Sequence, residues 1–281
     1  MITHNNESST SSSEEVSSSD NEGAPMQVDP PAATELTHIV EFEAYPPADE
    51  DWSGVRALLD SLFQGISVDV GYFSQTLIDN YKVGTVIKGA DIAEGEDDPV
   101  FAVASLLPLS LFKDKSKFDQ LTSSLLAKCE SDVLASVEKL LKSKDSAFLI
   151  NAKFSNLPLQ ITAQLYKALK MELITERKEN PEYNVKNLMI FGKSYVEPEE
   201  RRNKKSRLAA PKIKFQSSEL DSLSEVATDL ISWKIKDETL APVSNTPCDN
   251  AWQGYRSILV IPIEKFLKSV DKIVENLSAE V

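Results

Sequence analysis

The sequence predicts one α/β domain, a central mixed sheet flanked by helices, behind an N-terminal tail that does not fold. Three observations carry that prediction. Short apolar runs with the strand period alternate with longer stretches whose apolar residues recur every three or four positions, as in α/β domains. Of 281 residues, 41% are hydrophobic, enough for one sizeable core. Charge is split along the chain. The first basic residue is Arg56, and the 55 residues before it hold twelve of the 44 acidic ones, so the remaining 32 face 30 Lys and Arg. Nearly all of the net charge of −14 therefore lies in the N-terminal stretch.

Residues 1–36 are rich in Ser, Glu and Pro and poor in large apolar side chains. Such a segment cannot bury enough surface to offset its ordering entropy, so disorder is expected. Ser11, Ser12, Ser17 and Ser19 each have an acid three positions on, the pattern acidophilic kinases read. Each phosphate would add about −1.5 to −2 charge. An unmodified, solvated tail is the other reading of these serines.

The domain is expected over residues 37–281. Alternation at His38 to Tyr45 predicts a strand, stopped by Pro46 and Pro47. Asp49, Glu50 and Asp51 then form an acidic cap for a helix carrying Trp52, Val55, Leu58, Leu59, Leu62 and Phe63, which Gly65 ends. A helix over Val70 to Tyr81 and a strand over Thr85 to Lys88 follow. Asp91 to Pro99 is an acidic loop, with Glu96, Asp97 and Asp98 expected to form a solvated turn. Val100 to Leu107 is almost continuously apolar and predicts a strand covered on both faces.

From Phe118 to Leu141 the set Phe118, Leu121, Leu125, Cys129, Val133, Val137 and Leu140 predicts one long amphipathic helix. A strand at Ala147 to Asn151 comes next. Asn156-Leu157-Pro158 opens a helix with Ile161, Leu165, Leu169 and Leu173 inward. Val185 to Tyr195 is a strand, followed by a basic insertion at 197–214 and a short helix near Ser218 to Val226. Thr228 to Lys236 alternates as a strand with Leu230 and Trp233 inward. A loop with Pro242, Pro247 and Trp252 leads to a last strand at Ser257 to Ile261. Pro262 then opens a C-terminal helix that buries Phe266, Val270, Ile273, Val274 and Leu277.

Composition narrows function by exclusion. None of the nine glycines forms a phosphate-cradling motif, and His4 and His38 are the two histidines. Zinc sites, His-based acid–base pairs and Ser–His triads lack material. No catalytic, cofactor-binding or metal-ligating residue is assigned, and no cofactor is expected. Cys129 and Cys248 read as buried thiols of a reducing compartment, the cytosol or nucleus. No membrane insertion and no targeting leader is expected from the apolar runs and the N-terminus. Negative charge argues against direct nucleic-acid binding and for a basic partner.

The run Arg201, Arg202, Lys204, Lys205 and Arg207 goes against the overall charge. It reads as a nuclear import signal, as a small nucleic-acid patch without stacking aromatics, or as a solvated loop.

Several stretches, taken in order, resemble the BCCIP family, named after interactions with a breast-cancer-susceptibility protein and a cyclin-dependent-kinase inhibitor. They are Phe42-Glu43-Ala44-Tyr45, the Trp52 to Phe63 helix, Val83-Gly84-Thr85-Val86-Ile87-Lys88, and Asn156-Leu157-Pro158-Leu159-Gln160-Ile161 with Leu165-Tyr166. The basic insertion and the ending Ile258-Leu259-Val260-Ile261-Pro262 complete a likeness over residues 38 to 281. The resemblance implies an acetyltransferase-like (GNAT-like) fold without the cofactor loop, and a nuclear, non-enzymatic, protein-binding role. Yeast relatives in this family look like chaperones and nuclear-export factors for a ribosomal protein and a lipid kinase. Animal relatives are linked to recombination repair and cell-cycle control.

The expectation is therefore a nuclear, shuttling escort of a basic client, a ribosomal protein, with import and export receptors as further partners and a place in ribosome biogenesis. The alternatives are a repair and cell-cycle scaffold and an acyl-CoA-dependent transferase. Two stretches depart from the family pattern. Asn151-Ala152-Lys153 stands where the family tends to have Ser-Glu-Arg, and Leu220, Ser222 and Leu223 stand near its paired aromatics.

Overall fold

A computed structural model describes residues 41–90, 98–197, 213–240 and 252–279. The predicted tail and the candidate phosphorylation and import residues, Ser11, Ser12, Ser17, Ser19, Arg201, Arg202, Lys204, Lys205 and Arg207, lie outside them. His38 and Cys248 do as well.

Eight strands form one mixed sheet: β1 (Phe42–Tyr45), β2 (Gly84–Gly89), β3 (Ala102–Pro108), β4 (Ser146–Lys153), β5 (Asn187–Val196), β6 (Ile213–Phe215), β7 (Asp229–Leu240) and β8 (Trp252–Pro262). Their order is β1-β2-β3-β4-β5-β8-β7, with β6 paired to β5. Every pairing is antiparallel except β4 with β5. A parallel pair needs a long crossover, supplied here by α5 (Leu159–Glu179).

Alternation along the central strands sorts side chains into two layers. Val103, Leu107, Phe148 and Ile150 face one side with α1 (Trp52–Leu62), α2 (Val70–Asp79), α3 (Lys115–Leu126) and α4 (Leu134–Leu141). Leu106, Ala147, Leu149 and Leu188 face the other, against α5 and α7 (Ile263–Ala279), with α6 (Ser218–Ser224) beside them. The sheet is covered on both faces, so β3 is buried throughout, as its continuous apolarity predicts. The first layer centres on Phe63, Phe73, Phe148 and Phe191. Phe63 lies 4.7 Å from Phe73 and 4.9 Å from Phe191, edge to face. Removing such a ring costs about 3–5 kcal/mol.

Most expected elements appear within a few residues of their bounds, and five differ. The single helix from Phe118 to Leu141 is two, α3 and α4. Tightened bonds from Lys128 N–H to Leu125 O and Cys129 N–H to Leu126 O close α3, and the Asp132 carboxylate accepts from Val133 N–H at the turn into α4. Cys129 is half-buried rather than buried, its thiol 3.4 Å from Leu125 O. The end of the basic insertion is a strand, β6, not loop. The last strand, β8, begins at Trp252 and not at Ser257, so Trp252 is strand rather than loop. In β7 both Trp233 and Leu230 face in, on the first and second layers respectively.

The fifth difference is electrostatic. Asp98 is exposed, as a solvated turn residue would be, but it is also ion-paired. Its carboxylate lies 2.9 Å from Lys88 Nζ, and Asp51, itself buried, lies 2.8 Å from the same nitrogen. Glu96 and Asp97 lie outside the described residues. The Asp51 carboxylate also accepts from Ala48 N–H, so this acid anchors a buried lysine instead of capping α1 through its side chain. Burial disfavours the Lys88 ammonium, but hydrogen bonds to Asp51 and Asp98, with their charges, prevail and raise its pKa.

Candidate functional site

The parallel ladder of β4 and β5 runs only from Ser146–Asn187 to Leu149–Ile190. Beyond it the strands part, and from Ser194 the β6 strand pairs with β5. A cleft of about 720 Å³ opens in the gap. Gly54, Leu58 and Leu62 of α1 form one apolar wall, and Leu157 and Leu220 form the other. Gly192 lines the cleft, and a Cβ there would lie 2.5 Å from Leu220 Cδ1, so the Leu220 side chain would have to shift.

The polar groups of the cleft come from the last turn of β4 and the start of α6. Asn151 and Lys153 are two apart in a strand and therefore share a face, toward α5. Lys153 Nζ donates to Thr162 Oγ1 at 2.9 Å and to Glu219 Oε1 at 2.5 Å. The lysine side chain is 15% exposed and the glutamate 1%. Asn151 Nδ2 donates to the Tyr166 hydroxyl at 3.1 Å. Burial, then the nearby Glu219 charge, raises the Tyr166 pKa well above its ordinary value, so the phenol stays neutral at physiological pH. Two buried acceptors, Asn151 Oδ1 and Glu219 Oε2, have no hydrogen-bond partner among the described residues. Such groups cost free energy until a donor meets them.

At the rim Phe154 is 50% exposed, edge to face with Phe101 at 6.1 Å, which packs 5.3 Å from Phe42. The turn from Phe154 to Pro158 into α5 contains no glycine. Lys153 is committed to Glu219 and Thr162, and Tyr166 is held neutral. The cleft thus offers apolar surface and hydrogen-bond acceptors, and Lys193 of β5, which also lines it, donates to Ser61 Oγ at 2.8 Å.

In the sequence Asn151-Ala152-Lys153 and Leu220 stand out only as departures from the family pattern, and Glu219 does not stand out at all. A signal was available: two polar residues at alternating positions end an otherwise apolar strand. Among the described residues, no group of three or more His, Cys, Asp and Glu is placed to hold a metal ion, and no helix is long and apolar enough to cross a membrane.

The BCCIP family model matches residues 38–240. The chain belongs to the BCCIP family. Among its family relatives, the BRCA2 and CDKN1A-interacting protein of Bos taurus is 27% identical over 260 residues, covering 85% of this chain and 83% of that one. Protein bcp1 of Schizosaccharomyces pombe is 24% identical over 261 residues, covering 85% of this chain and 90% of the relative. The crystal structure of BCP1 from Saccharomyces cerevisiae superposes with a TM-score of 0.57 at 14% identity, over 86% of this chain and 91% of that one. This family member therefore shares the mixed α/β fold predicted from sequence. Structures described as acetyltransferases match at TM-scores of 0.32 and 0.27, too low to carry anything over.

Proposed function

We propose that this chain is a non-enzymatic nuclear binding protein that escorts a basic client, of the ribosomal-protein class, during nuclear export and ribosome biogenesis. The observation that carries the reading is the charge split. Seven acids in residues 1–36 precede a domain whose relatives are named as interacting proteins. A long acidic arm speeds encounter with a cation-rich partner and selects it, more than it sets affinity. A cleft of apolar surface and acceptors, with Lys153 paired to Glu219, agrees with a binding role.

Co-expression is the direct test. The intact chain should keep a basic large-subunit ribosomal protein soluble, and the complex should weaken steeply as salt rises. Absence of any such client at low salt counts against the reading. The name of the Bos taurus relative favours a second reading, a scaffold in repair and cell-cycle control. That scaffold would bind partners without keeping a basic protein in solution. An acyl-CoA transferase is the third reading, and calorimetry with acetyl-CoA separates it by micromolar binding.

The import role of the basic run has its own test. Replacing Arg201, Arg202, Lys204, Lys205 and Arg207 by alanine should shift the protein toward the cytoplasm. Unchanged nuclear accumulation would reduce the run to a loop.

A further inference from the structure

We propose that the cleft between β4 and β5 takes an extended segment of a partner protein, added as a strand beside the end of β4. The inference rests on the protein-binding part of the function above, but on neither the client's charge nor the acidic arm. Phe154 N–H donates to Phe101 O, which fixes the phase of the β3–β4 ladder. In that phase the backbone groups of Phe154, Ala152 and Ile150 point to β3, and those of Asn151 and Lys153 point into the cleft. The β4–β5 register ends at Leu149–Ile190, so the ladder gives these cleft-facing groups no partner on that side. An unpaired strand edge walled by apolar side chains is complementary to another extended backbone.

The walls specify the occupant further. A strand beside β4 repeats its alternation, so successive side chains enter different surroundings. One set meets Leu58 and Leu62 of α1 and calls for apolar residues. The other meets the buried acceptors Asn151 Oδ1 and Glu219 Oε2 and calls for donors, amide, hydroxyl or basic. Exposed Phe154 at the rim covers the segment where it leaves. The volume, about 720 Å³, is that of a binding site (roughly 300–1,000 Å³).

The probe is a displayed library of random heptapeptides, selected on the full-length chain at roughly 0.5 M salt to suppress attraction by the arm. Enriched sequences should alternate apolar and donor residues. Synthetic versions should protect the Asn151 and Lys153 amides from hydrogen exchange. Methylating alternate peptide nitrogens should abolish binding in one phase and spare it in the other, as strand pairing requires. Ala57→Trp, entering the cleft from an exposed position of α1, should weaken binding about tenfold or more while leaving the unfolding midpoint unchanged.

No enrichment, enriched peptides indifferent to Ala57→Trp, or indifference to the phase of methylation would each overturn the inference. So would acetyl-CoA protecting the same amides with no peptide selected. Client solubility separates the two claims. Peptide binding without client rescue leaves the cleft standing and removes the escort reading, and client rescue without peptide binding does the reverse.

Discussion

Lys153 and Glu219 form a buried ion pair at the cleft, the glutamate 1% exposed and the lysine 15%. Removing one partner of a buried pair leaves an uncompensated charge, at about 3–5 kcal/mol. Lys153→Met should therefore lower the urea midpoint sharply, and Lys153→Met with Glu219→Leu should recover most of the loss. A double variant as unstable as the single one would show that the pair does more than neutralise itself. Glu172 is the opposite case, a carboxylate the fold tolerates badly. Burial raises its pKa above the ordinary 4.5, hydrogen bonds from Thr85 and Gly84 oppose that, and Glu176 adds to it. A raised carboxyl pKa means the folded state binds the proton more tightly than the unfolded one. The resulting cost is absent below the ordinary value and grows as pH rises through the interval above it. Glu172→Gln should raise the urea midpoint at neutral pH and give no gain near about pH 4. Equal gains at both pH values would assign the effect to packing. None of this was legible in the sequence, since charge states little about burial. Glu219 and Glu172 look like any surface glutamate until the elements around them are placed.

At the scale of elements, patterns with a long apolar period were legible and interruptions were not. The long amphipathic set from Phe118 to Leu140 keeps its three-four spacing across the break between α3 and α4, and neither glycine nor proline marks it. The β6 strand is three residues long beside a basic run, too short for periodicity to register. The cleft was invisible for a related reason. It arises where two strands stop pairing, and register is a property of two segments rather than one. Caps were partly legible. Asp69 precedes α2, its carboxylate accepting from Tyr72 N–H at 2.9 Å and lying 2.9 Å from Lys117 Nζ at the start of α3. Asp69→Ala should cost about 1 kcal/mol, the usual worth of an N-cap, with the exposed ion pair adding little. Thermal unfolding measures it. A loss confined to low salt would show that the ion pair, not the cap, had been removed. Gly65, the helix stop legible in the sequence, has a φ of +84° with Ile235 Cδ1 2.9 Å from a would-be Cβ, a conformation that favours glycine.

For the whole molecule, charge placement is the property the sequence made plainest, and it assigns the acidic arm a kinetic role. Twelve acids precede Arg56, seven of them within residues 1–36, whereas the remainder is almost balanced. Residues 37–281 hold 37 acidic and 30 basic residues, a net of −7, so the arm carries half of the −14 and adds its own pull on a basic client. Steering changes association, while the contacts made after docking govern dissociation. Deleting residues 1–36 should therefore slow client association about tenfold at low ionic strength and leave dissociation nearly unchanged. At roughly 0.5 M salt, where screening acts within a few ångströms, intact and shortened chains should associate at the same rate. Phosphorylation at Ser11, Ser12, Ser17 and Ser19 should do the opposite of deletion, steepening the salt dependence by enlarging the arm's charge. Stopped-flow measurements over a salt series decide the matter. If the shortened chain associates as fast as the intact one at low salt, the arm does not steer. A faster dissociation would instead place the arm in the bound interface, holding the client it was expected only to attract.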